Sequence, residues 1–125
     1  MIVLVSSEET AGALAVLEET VPAGWAPPVH IHHVADEVLY VLEGSYLFQQ
    51  GDETITATVG DHVLVRRGTP HSWRSGAEGG RMLIAFAPGG TESYFAELAA
   101  ALARGPTGEA FHRRAKEQFG MEVLE

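Results

Sequence analysis

A chain of 125 residues is long enough to bury one hydrophobic core and too short for two. Acidic side chains outnumber basic ones 17 to 8, for a formal charge of -9, and a field of that sign repels phosphate backbones and anionic headgroups, so neither nucleic acid nor a membrane surface is an expected partner. With no cysteine there is no disulfide frame, no thiolate ligand and no cysteine nucleophile, and any metal must be held by nitrogen and oxygen.

The apolar start, Met1–Val5, has no basic stretch before it and no small-residue cleavage site after it. No apolar run approaches the ~20 residues of a bilayer span, so a cytoplasmic protein is expected. From there to about residue 90 the chain reads as short strands, because runs of apolar β-formers are separated by Gly, Pro and Asp. The candidates are Ile2–Val5, Ala13–Thr20, Val29–Ile31, Glu37–Leu42, Tyr46–Gln50, Glu53–Ala57, His62–Arg66, His71–Arg74 and Arg81–Ala87. So many short strands predict an all-β closed barrel or sandwich. Glu43-Gly44-Ser45 reads as a turn, Gly51-Asp52 as a two-residue hairpin loop and Gly76–Gly80 as a further loop. Tight connections of this kind imply antiparallel neighbours.

At Thr91 the period changes. Tyr94, Phe95, Leu98, Ala99 and Leu102 fall on one helix face, Thr91 is a candidate cap, and Gly105-Pro106 ends the helix. That face is expected to cover the outside of the barrel. A second, less apolar helix spaces Phe111, Ala115 and Phe119 four apart and stops at Gly120. The predicted organisation is a barrel over residues 1–90 with a helical extension over 91–125 packed on the same domain. The pairs Arg66-Arg67 and Arg113-Arg114 lie outside any basic run and read as solvated faces.

Five of the six histidines lie between positions 30 and 71. His30 and His32 sit two apart on an extended segment, so both imidazoles leave the same face while Ile31 leaves the other. Glu37 opens the next strand after the corner at 33–36, and His71 arrives from a separate strand after Gly68-Thr69-Pro70. Three imidazoles and a carboxylate suit one divalent transition metal, whether iron, manganese, nickel, copper, cobalt or zinc, and disfavour calcium and magnesium. The expected metal ligands are therefore His30, His32, Glu37 and His71, with Glu37 also the candidate catalytic group. His33 has the wrong strand parity for a ligand, Asp36 is expected to cap the corner, and His62 and His112 are read as lying outside the site. Tyr40, Tyr46, Phe48 and Trp73 are expected in the core, and Trp25 is a candidate for the mouth of the pocket.

These residues resemble the two motifs of the cupin superfamily. The first is glycine, five residues, His, one residue, His, three or four residues, Glu, six residues and glycine, which Gly24, His30, His32, Glu37 and Gly44 match throughout. The second keeps Gly60, Gly68 and His71 but has Arg66 where proline is usual and Ser75 where asparagine is usual. Pro88–Phe95 and Phe119–Leu124 resemble the ends of small cupins similar to quercetin dioxygenases. The resemblance implies a double-stranded β-helix, or jelly roll, often a homodimer, with the four matched residues holding a metal inside. It also implies oxidative chemistry on a small phenolic, enol or diketone substrate with dioxygen. A non-redox isomerase, cyclase or lyase, or a cupin that only binds a small molecule, fits the same residues.

Overall fold

Buried and exposed side chains alternate along nearly every strand, so one face of each strand turns into a common interior. A computed structural model describes residues 1–124. Its elements are β1 (Ile2–Val5), β2 (Ala15–Val21), β3 (His30–His32), β4 (Asp36–Gln50), β5 (Glu53–Ala57), β6 (His62–Val65), β7 (His71–Ala87), α1 (Thr91–Arg104), α2 (Glu109–Phe119) and β8 (Met121–Val123). All the pairings are antiparallel: β7 runs between β2 and β4, β4 also pairs with β5 and β6, and β3 lies between β7 and β8. The sheet curls into a double-stranded β-helix whose C-terminal end carries the two helices.

Two expected breaks are absent. β4 continues through Glu43-Gly44-Ser45, with register shifts either side of Gly44 in place of a turn, and β7 continues through Gly76–Gly80 in place of a loop. The glycines serve close approach. Gly44 pairs with Gly80, a Cβ on Gly44 (φ 83°) would collide with the Gly79 carbonyl, and one on Gly80 would collide with the Tyr46 hydroxyl. The Gly51-Asp52 hairpin forms as expected, with Gln50 opposite Glu53.

The interior is filled by Leu17, Leu39, Val41, Tyr46, Phe48, Val63, Val65, Trp73, Met82, Ile84 and Phe86. Burying one such side chain fully is worth about 1.5–3 kcal/mol. Tyr40 does not join them. It has the outward parity on β4 and is exposed, as are Val38 and Leu64 nearby on the same outer face. A second cluster of Tyr94, Ala115 and Met121, with Phe95, Leu98, Phe111, Phe119 and Val123 against it, joins the helices to β8.

α1 departs from expectation twice. Thr91 is its first helical residue and does not cap it; the N-cap is Gly90, and the Glu92 carboxylate accepts the Gly90 N–H at 2.7 Å. Its apolar stripe also faces a cavity at the barrel mouth, where Tyr94, Phe95, Leu98 and Leu102 all form part of the wall. β8 was not foreseen, because three residues are too few to show a period. Among the described residues no helix is long and apolar enough to cross a membrane.

Candidate metal centre

β3 is held extended on both sides. His30 pairs with His71 of β7, while His30, Ile31 and His32 pair in turn with Val123, Glu122 and Met121 of β8. Extended geometry then sends His30 and His32 inward, where both are buried, and leaves Ile31 half-buried on the other face. His33 lies outside the barrel wall. Its N–H donates to the Gly120 carbonyl at 2.7 Å and its ring pairs with Glu122 at 2.8 Å. Glu37, on β4, and His71, at the start of β7, are both buried.

The four predicted residues converge. One ring nitrogen from each of His30, His32 and His71 lies within 4.8 Å of the other two. Glu37 Oε1 lies 3.1 Å from His71 Nε2 and 3.7 Å from His32 Nε2. Two of the rings are fixed from behind: His30 Nδ1–H donates to the Pro28 carbonyl at 2.8 Å and His71 Nδ1–H to the Thr69 carbonyl at 2.9 Å. A proton placed on Nδ1 leaves Nε2 as the coordinating atom, the arrangement common among metal-binding histidines.

Electrostatics point the same way. Burial, helped by His71, lowers the pKa of His30, and burial pushes His32 down to about 4, so both rings are neutral and have lone pairs to give. Burial alone would lower the pKa of His71 and raise that of Glu37. Their mutual hydrogen bond, with the charge interactions inside the cluster, reverses both shifts, leaving His71 raised and Glu37 lowered; the Nε2 proton in that bond is the one a metal would replace. Neither ring nitrogen of His32 has a hydrogen-bond partner, although both are buried. Buried polar groups are ordinarily satisfied, and a metal among three imidazoles and a carboxylate would satisfy this one. The residues present therefore fit a divalent transition metal.

Beside His30 the interior opens into a cavity of about 390 Å³, within the size range of small-molecule sites. Its walls are mainly Trp25, Pro27, Pro28 and the α1 stripe. Trp25 reaches the cavity because Ser75 ties down its loop: the Ser75 hydroxyl accepts the Trp25 N–H at 2.9 Å and donates to the Pro22 carbonyl at 2.6 Å. Serine thus anchors the loop from the position where asparagine is usual. Trp25 also packs on Trp73, with ring centroids 5.2 Å apart. Asp36 binds Arg67 through its backbone N–H at 2.9 Å and its guanidinium at 3.2 Å, and takes no part in the site. His62 is exposed on β6.

In the cavity wall Glu19 escaped the sequence reading, and His112, read there as lying outside the site, is a lining residue. Glu19 did leave a signal: it shares the inward parity of Leu17 and Val21 on β2, where a core residue is due. For His112, on α2, only the tertiary fold brings the ring to the mouth.

A family model described as Cupin domain matches residues 17–87, more than half of the chain. The chain belongs to the cupin family. Among solved structures it is similar to KdgF from Halomonas sp., with a TM-score of 0.62 and 18% identity over 66% of this chain and 74% of that one. It is also similar to TT1209 from Thermus thermophilus, with a TM-score of 0.58 and 28% identity over 62% of this cupin and 74% of that chain. The DMSP lyase DddQ from Ruegeria pomeroyi DSS-3 is 30% identical, with a TM-score of 0.56, over 61% of this cupin but only 39% of the lyase. KdgF, at its low identity, speaks to the fold alone. No curated protein matches the chain.

Proposed function

We propose that this cupin is a metal-dependent enzyme that acts on a small phenolic, enol or diketone compound with dioxygen. The observation that carries the reading is the opening of a buried three-histidine, one-carboxylate cluster onto an apolar cavity at His30. A divalent transition metal held by His30, His32, Glu37 and His71 would supply Lewis acidity or redox chemistry there. The chain does the rest. The Pro28 and Thr69 carbonyls hold two imidazoles in one tautomer, and the walls of Trp25, Tyr94 and Phe95 orient a flat substrate and keep water from it. The Glu37 carboxylate is the group within the cluster that can take a proton from a substrate hydroxyl. Elemental analysis of protein purified without chelator, with oxygen uptake on a panel of phenols and diketones, tests this. A redox metal with uptake supports the reading, and zinc without uptake refutes the oxidative step.

A second reading, non-redox lyase, isomerase or cyclase chemistry at the same centre, is favoured by the likeness to a DMSP lyase. Turnover without oxygen consumption would select it, and saturable binding without turnover would leave a small-molecule-binding cupin. The same proposal takes the chain as a homodimer, with the exposed Val38, Tyr40 and Leu64 in the contact. A monomeric mass by light scattering would refute that part.

A further inference from the structure

Besides His30 of the histidine cluster, the cavity wall carries an acid, Glu19, on β2 opposite Met82, in a lining that is otherwise largely apolar. Among the described residues Glu19 forms no side-chain hydrogen bond or ion pair, and no lysine or arginine side chain lines the cavity. The Met1 amino group acts on it only through charge, so its carboxylate keeps its hydrogen-bonding capacity for whatever enters. His112 adds a third polar point from the helical side: its Nδ1 is buried and unpartnered, and its Nε2 lies 3.4 Å from Thr107 Oγ1.

We propose that Glu19 is a specificity-determining residue, selecting aromatic compounds that carry a hydroxyl or amino donor and turning away carboxylates and phosphates. The inference rests on reading the cavity as the substrate site and does not depend on which reaction follows. Three aromatic walls, Trp25, Tyr94 and Phe95, fit a ring. A donor on that ring meets the Glu19 carboxylate in a setting where a charge-assisted bond is strong. An anion would meet Glu19, with Glu37 also in electrostatic reach; no lysine or arginine of the wall offsets them, and the Met1 amino group, which does act on Glu19, leaves its net shift upward. Burial raises the pKa of Glu19, the Met1 amino group lowers it and Glu37 raises it further, with a net upward shift, as expected of an acid lacking a bonded partner.

The test uses three probes of similar size, benzyl alcohol, benzylamine and benzoate, titrated against the fluorescence of the packed pair Trp25 and Trp73 in protein as purified, with metal content measured on the same samples. Benzyl alcohol and benzylamine are expected to bind about tenfold more tightly than benzoate, a difference of about 1.4 kcal/mol. Glu19→Gln should lower the benzylamine-to-benzoate ratio about tenfold, and Glu19→Leu should remove the advantage of benzyl alcohol as well. Should the leucine variant fail to fold, the near-isosteric glutamine variant still decides the ratio. A ratio unmoved by Glu19→Gln, equal binding of all three probes, or binding of none overturns the proposal, because a metal attracting benzoate or an amine directly would not respond to Glu19. Selectivity found in protein that holds no metal would sink the proposed enzymatic function and leave Glu19 standing; a flat ratio in metal-loaded, active protein would do the reverse.

Discussion

The two ends of the cavity are built differently. The end with the histidine cluster comes from β3, β4 and β7, each paired on both sides for at least part of its length, so its side chains are positioned by continuous ladders. The helical end is held by the small cluster around Tyr94, Ala115 and Met121 and by Phe95 leaning on Phe86 at 6.0 Å, and the N-cap of each helix is a glycine, which has no side chain to accept from the first turn. Less burial and fewer shared hydrogen bonds mean a lower free energy of local opening. Under the proposed function, chemistry would sit at the stiff end and substrate admission at the softer one. β8 joins them, since it follows α2 yet pairs along the strand that carries His30 and His32.

The largest effect should come from the stiff end. Replacing His30, His32 or His71 with alanine removes a coordinating nitrogen, and metal affinity measured by chelator competition should fall more than about 100-fold. Loss of an outer partner, as in His33→Ala, is expected to cost about 10- to 100-fold at most. Glu37→Gln should weaken binding and abolish turnover even where some metal remains. Full occupancy in His32→Ala with loss in His33→Ala would mean that the inward face has been assigned one residue out of register. Next comes removal of the ion itself. At a hundred times its dissociation constant a metal adds about 2.7 kcal/mol to folding, so dialysis against EDTA should lower the thermal midpoint by on the order of 10 °C. An unmoved midpoint after verified metal loss would show that the ion does not tie these strands together.

How much of this was legible follows the same division. The converging residues could be read because ligand choice rests on local rules: strand parity separates His30 and His32 from His33, and motif spacing brings in Glu37 and His71. The barrel was legible for similar reasons, except where glycine had a second meaning. Gly44 and Gly80 look like turn residues in one dimension and prove to be the close crossing of two long strands, a fact that belongs to the pair. The helical end was legible as helices but not as a wall, because an apolar stripe records that a face is covered and not by what. Glu19 shows the opposite failure: the signal was there, a charge at an inward strand position, but it carried no motif to draw attention.

The link between the two ends is tested at Gly120. This residue closes α2 in the left-handed region, φ 67°, and a Cβ there would lie 2.9 Å from the Val34 side chain. Gly120→Ala should cost about 1–2 kcal/mol through strain and contact. Because the Gly120 carbonyl also accepts the His33 N–H just beyond β3, metal affinity should fall with stability. A destabilised variant with unchanged metal affinity would show that β8 braces the helices without bracing the ligand strand.

The smallest effect expected lies at the other attachment of the helical end. Buried Glu92 ties the N-terminal segment to the start of α1, its two oxygens accepting the Ser7 N–H at 2.6 Å and the Gly90 N–H at 2.7 Å. Burial pushes its pKa up, but the bonds from Ser7, Gly90 and its own amide outweigh this and leave it below the ordinary glutamate value. A carboxylate whose folded pKa is depressed contributes stability that is present above the unfolded value of about 4.3 and is lost as pH falls through the folded one. Glu92→Gln keeps the shape but replaces a charged acceptor by a neutral one, for a loss of about 1–2 kcal/mol at neutral pH. The difference in thermal midpoint between wild type and variant should therefore shrink as the pH is taken below about 4. A difference that stays constant across that range would assign the effect to side-chain packing, and the carboxylate would then have no part in fastening the helix to the barrel.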